Sequence, residues 1–120
     1  MENKDNLMQN RLYHINDVAT PGEQATKTVF YSTDSTSGSV WLVKPGQVVA
    51  PHQHTTSDDL WICVQGKGVF YPEPGIETAI SKGDIVLSGK GNCHGMRNTG
   101  DEDFIFVSVL GPVPADYKPL

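Results

Sequence analysis

Glycine and proline interrupt this chain at short intervals, and between them no apolar pattern runs long enough to sustain a helix. Twelve glycines and eight prolines are spread along 120 residues rather than gathered into one linker. The stretches between them are short and rich in β-branched or aromatic residues: 27–31, 39–43, 60–64, 68–71, 77–80, 85–87, 93–97 and 103–110. Turn residues close several of them, as at Lys44-Pro45-Gly46 and Pro72-Glu73-Pro74-Gly75. Short strands at this spacing predict an all-β sandwich or barrel and argue against a helix bundle.

A chain of 120 residues is one domain, able to bury roughly two-thirds of its unfolded surface without a covalent staple. Residues 26–110 are read as the barrel. Residues 1–25 form an arm: 1–9 lack an apolar pattern and are expected to be mobile, and 12–18 are a short strand or a single turn. Residues 111–120 carry three prolines and cannot enter the middle of a sheet, so they are expected to wrap along the surface or a partner subunit.

Charge narrows the function. Nine basic residues against fourteen acidic ones leave a net charge of −5, with the cations scattered. That argues against nucleic acid, which needs a positive footprint. The apolar runs are too short to span a bilayer, and residues 1–10 lack the apolar core of a signal peptide. Cys63 and Cys93 do not make a disulfide scaffold. A cytoplasmic location with reduced thiols is the expectation.

The chemistry concentrates in residues 51–62. On a strand, residues two apart point to the same face, so His52 and His54 can clamp one ion together. Asp59 opens the next apolar strand, with Trp61 and Cys63 on its face and Leu60, Ile62 and Val64 opposite. His94 ends a glycine-rich loop and starts a later strand. Three imidazoles and a carboxylate suit Fe, Mn, Ni or Zn, and leave positions open to substrate, water or dioxygen. A lone H-x-H is weak support for a metal; the wider spacing carries the argument.

That spacing resembles the cupin superfamily. One cupin motif, G-x5-H-x-H-x3-4-E-x6-G, runs here through Gly46, His52, His54, Asp59 and Gly66. The other, G-x5-P-x-G-x2-H-x3-N, runs through Gly83, Gly89, Gly91, His94 and Asn98. Every spacing matches, with Asp59 in place of Glu and Gly89 in place of Pro. Aspartate is one methylene shorter, so the carboxylate reaches an ion directly or through water. Asp58 is the neighbouring alternative; Asp59 is preferred because it keeps six residues to Gly66.

The resemblance implies a double-stranded β-helix, or jelly-roll barrel, with one divalent metal in its mouth held by His52, His54, Asp59 and His94. It implies turn roles for Gly46, Gly66, Gly83 and Gly91, and a bracing role for Asn98. It also implies a homodimer, with the arm and the tail as exchange elements. Trp61, Cys63 and Met96 are the pocket candidates, Trp61 as a substrate platform, although core packing is the stronger expectation for Cys63. Trp41, Tyr71 and Phe106 are read as packing residues, and His14 is given no role. Cys93 and Arg97 have the parity opposite to His94, so no disulfide and no cation facing the metal are expected. The expected function is a metal-dependent enzyme acting on a small molecule. It would be a dioxygenase, or an isomerase or lyase for a sugar-like or hydroxy-carbonyl substrate. The alternatives are a non-catalytic small-molecule-binding module and a closed structural metal site.

Overall fold

Alternating burial along short extended runs sets the architecture. In β4 (Asp58–Gln65), Asp59, Trp61 and Cys63 are buried while their neighbours are more exposed, the signature of a strand with one face on a core. A computed structural model describes residues 7–120; the mobility expected of residues 1–6 lies outside the described residues. Among the described residues of the arm, Ile15–Val18 form a helical turn, α1. Nine further strands are β1 (Thr26–Ser32), β2 (Ser37–Val43), β3 (Val48–Gln53), β5 (Lys67–Glu73), β6 (Ile76–Ser81), β7 (Ile85–Ser88), β8 (His94–Asn98), β9 (Phe104–Gly111) and β10 (Lys118–Pro119).

The strands form two five-stranded antiparallel sheets. One has the order β1-β2-β9-β4-β7, the other β10-β3-β8-β5-β6. This is the jelly-roll, double-stranded β-helix arrangement expected from the sequence. Strand β3 is the element that composition did not mark, because Pro51 lies within it. The proline-rich tail pairs only at a sheet edge, as β10 against β3.

The space between the sheets is filled by Val43, Val49, Trp61, Cys63, Phe70, Ile80, Met96, Phe104 and Phe106. Burying one such side chain fully is worth about 1.5–3 kcal/mol. Trp61 lies against Phe106 with ring centroids 4.1 Å apart, and Trp41 stacks on the far side of Phe106 at 5.8 Å. A second cluster, Val40, Leu42 and Ile105, lies on the outer face of the first sheet, where Val18 and Ala19 of the arm cover it. The closed end is pinned by Asn98, whose amide donates to the Val43 and Glu102 carbonyls and accepts from the Gly100 N–H. Cys63 and Cys93 are free thiols.

Candidate metal centre

His52 reaches the inner face through a break in strand pairing. Val49 pairs with Met96, but His52 pairs with His94, so Ala50 and Pro51 together oppose Gly95. That two-against-one bulge lets Val49 and His52, three residues apart, both be buried. Gly95 is required there: a Cβ would meet the Val49 carbonyl oxygen at 2.7 Å and the Pro51 nitrogen at 2.9 Å. His54 lies just beyond the end of β3, and its carbonyl accepts from the N–H of Gly91, a residue at φ +79°. His94 is the first residue of β8. Asp59 comes from the opposite sheet, where it is buried while Asp58 is exposed.

The three imidazoles converge. Ring centroids are 4.1 Å apart for His52–His94, 4.9 Å for His54–His94 and 5.3 Å for His52–His54. One ligand atom from each ring lies within 4.8 Å of the others. Every Nδ1 is bonded to a backbone carbonyl: His52 to Ala50, His94 to Asn92, and His54 to Asp116. An Nδ1–H donated to a carbonyl fixes the tautomer and leaves the Nε2 lone pair free for a ligand. Among the described residues, the buried Nε2 of His94 has no hydrogen-bond partner, although Asp59 Oδ2 lies 3.2 Å away. Asp59 Oδ2 is also 3.7 Å from His54 Nε2, while Oδ1 accepts a 2.6 Å bond from the Ser108 hydroxyl.

The titration of His52 and Asp59 suits cation binding. Burial, reinforced by the neighbouring His94 and His54, lowers His52 to about 4, so it is a neutral donor at pH 7. Burial alone would raise the Asp59 carboxyl; His94 and the Ser108 hydroxyl outweigh it and hold the group below its ordinary value. Buried imidazole nitrogens, one of them unpartnered among the described residues, beside a buried carboxylate form a donor set that suits a divalent ion.

Residues 39–110 match the family model described as a cupin domain. The chain belongs to the cupin superfamily. The cupin is similar in structure to a conserved Klebsiella pneumoniae protein with a double-stranded β-helix domain. The two are 32% identical, with a TM-score of 0.88 and coverage of 91% of this chain and 96% of the other. In sequence it is 32% identical over 66 residues to the oxalate-binding protein of Thermotoga maritima. That match covers 55% of this chain and 54% of the relative, so the chain spans about half the length of the curated relative it matches. A predicted oxalate decarboxylase from the same organism shares the fold at 23% identity, with a TM-score of 0.67 over 74% of this chain and 81% of that one.

Within the cupin's candidate donor set, His52, His54 and Asp59 line a cavity of about 340 Å³ together with Trp61 and others, while His94 does not line it. Trp61 lies on this wall, 5.7 Å from His94 between ring centroids, and its indole N–H is buried without a partner. Cys63 and Met96, expected in the pocket from strand parity, lie one step deeper in the core and do not line the cavity. They have the inward parity but sit too far along their strands. Arg97 turns outward, 3.5 Å from Glu77. Several lining residues were not anticipated: Ser39, Ser108, Lys27 and Tyr117. Ser108 had a signal, since it follows Phe104 and Phe106 at two-residue spacing and is a hydroxyl in an inward apolar row. Nothing local marked Tyr117, whose ring stacks on His52 at 5.0 Å. Among the described residues, no helix is long and apolar enough to cross a membrane.

Proposed function

We propose that this cupin is a metal-dependent enzyme acting on a small molecule that binds through oxygen atoms. One divalent ion, Fe, Mn, Ni or Zn, would be held by His52, His54 and His94, with Asp59 as fourth ligand. The observation that carries this reading is the buried, unpartnered Nε2 of His94 beside two other imidazoles at the wall of a cavity. A bound ion would supply Lewis-acid activation or, for a redox metal, electron transfer with dioxygen.

This chain's own residues supply the rest. The backbone carbonyls of Ala50, Asn92 and Asp116 aim the imidazoles. Ser108 holds Asp59 by Oδ1, leaving Oδ2 toward the histidines. Trp61 offers a flat wall, and its unpartnered N–H is a donor for a ligand oxygen. The substrate is a dioxygenase's oxidisable compound or a sugar-like or hydroxy-carbonyl compound for isomerisation or elimination. A second reading, a small-molecule-binding module without turnover, is favoured by the name of the oxalate-binding relative. The free thiols agree with a cytoplasmic setting. Exposed Ile85 and Leu87 beside Leu60 and Ile62 support a homodimer through the outer face of the first sheet.

The test is elemental analysis of tag-free protein prepared with and without air, followed by turnover screens matched to the metal found. About one equivalent of Fe, sensitive to air, directs the screen to oxidative cleavage; Zn, Mn or Ni directs it to isomerase and lyase substrates. Failure to retain any of these ions after reconstitution would sink the reading. Tight binding of a small carboxylate without turnover would favour the second.

A further inference from the structure

Three of the four proposed ligands are held by sheet pairing. His52 and His94 are cross-strand partners in β3 and β8, and Asp59 lies in β4 paired with Leu110 and Ser88. His54 is the exception, because it stands outside any strand. Its ring nitrogen Nδ1 is bonded instead to the carbonyl of Asp116, 62 residues away in the proline-rich tail.

That carbonyl is itself anchored. The Asp116 carboxylate accepts the Thr55 N–H through Oδ1 at 2.8 Å and the Thr55 hydroxyl through Oδ2, so it grips the residue after His54. The tail is tied down on both sides of this grip. Upstream, the Ser57 hydroxyl donates to the Pro112 carbonyl. Downstream, Lys118 and Pro119 pair with Gln53 and His52, and the Leu120 N–H donates to Pro51. Tyr117, between them, stacks on His52 and lines the cavity.

We infer that the tail is a working part of the metal centre, with Asp116 the positioning residue that fixes the tautomer and orientation of His54. The inference rests on the metal-centre reading above. Its chemistry is that of a partner outside the coordination sphere. A ring nitrogen donating to a fixed carbonyl presents its other nitrogen at one angle, and loss of such a partner typically weakens metal binding about 10–100-fold. The side-chain hydrogen bonds of Asp116 go to Thr55, so it acts by holding its own backbone carbonyl against His54 Nδ1.

The experiment titrates metal-free protein with Co2+ and follows the visible absorption bands, with the thermal midpoint of the metal-free form as a parallel readout. Asp116→Ala is expected to weaken Co2+ binding about 10-fold or more and to change the band shape. Asp116→Asn keeps an acceptor for the Thr55 N–H and should recover most of the affinity. Asp101→Ala, an exposed acid in the turn before β9, removes the same charge and should bind Co2+ as the wild type does. Wild-type affinity and spectrum in Asp116→Ala would overturn the inference. So would a lower thermal midpoint with unchanged Co2+ binding, the mark of a merely structural role. If Asp116→Ala does not fold, Thr55→Val removes one of the two bonds and should weaken binding a few-fold; unchanged binding there overturns the inference equally. Failure of the wild-type chain to bind Co2+ would overturn the metal centre itself and this inference with it, whereas a wild-type chain that binds while Asp116→Ala is unaffected overturns only the role of the tail.

Discussion

The same inward-facing strands build two different ends of this barrel. At one end β4 presents Asp59, β8 presents His94 and β9 presents Ser108; at the other they present Cys63, Met96 and Asn98, and Phe104. The closed end is apolar and packed, apart from Asn98, whose amide makes three hydrogen bonds. The open end is also buried but polar, with one imidazole nitrogen and one indole nitrogen left without partners among the described residues. Burying polar atoms without partners costs free energy, so the packed end supplies stability that the open end spends on a binding site. Depth along the strand, more than side-chain parity, separates the two.

The comparison is most severely tested at the closed end. Phe104→Ala should cost about 3–5 kcal/mol of stability, read by denaturant unfolding, with loss of metal following loss of fold. A mild effect would mean that the barrel is not held by that end.

At the open end the effect should be reversed. His94→Ala should lower metal content more than 10-fold while the folded circular-dichroism signal stays, because it removes a buried nitrogen that lacks a partner. An unchanged metal load would remove His94 from the ligand set.

The two adjacent carboxylates give a finer contrast. Asp59→Asn should weaken metal binding several-fold and Asp58→Asn should leave it alone, since only Asp59 is buried beside the histidines. Calorimetric titration with Zn2+ compares them, and a larger effect at Asp58 would reverse the assignment.

The smallest expected effect is a pH dependence confined to the open end. His52 titrates at about 4 when folded against an ordinary value of 6.5. Between those values the unfolded chain binds a proton that the folded chain does not, so the stability of the metal-free protein should fall as pH drops from 6.5 toward 4. His52→Gln should flatten that slope in thermal melts, and Phe104→Ala should leave it intact. A slope unchanged by His52→Gln would assign it to another group.

Much of this was legible in the chain. Turn residues marked most of the strand ends, and Gly46, Gly66, Gly83 and Gly91 all take positive φ in the folded chain, where a β-carbon is disfavoured. Parity from Asp59 placed Trp61 and Cys63 on one face. Parity also put Cys63 and Met96 in the pocket, and there it failed, because a period of two tells which face a residue takes and not how far down the barrel it sits. The tail was legible as a segment that could not be a central strand, but nothing in residues 111–120 marked Asp116 or Tyr117 as neighbours of the histidines.

Local chemistry therefore determined the fold class, the strand ends and which side chains are candidate donors, because turn propensity, alternation and ligand type are properties of short stretches. Three matters were decided only by the folded chain. The bulge opposite Gly95 turned His52 inward, closure of the two sheets brought Asp59 beside His94, and a carbonyl 62 residues away oriented His54. Each depends on register between segments far apart in sequence, and register is set by the packing of the whole barrel rather than by any residue's own preference.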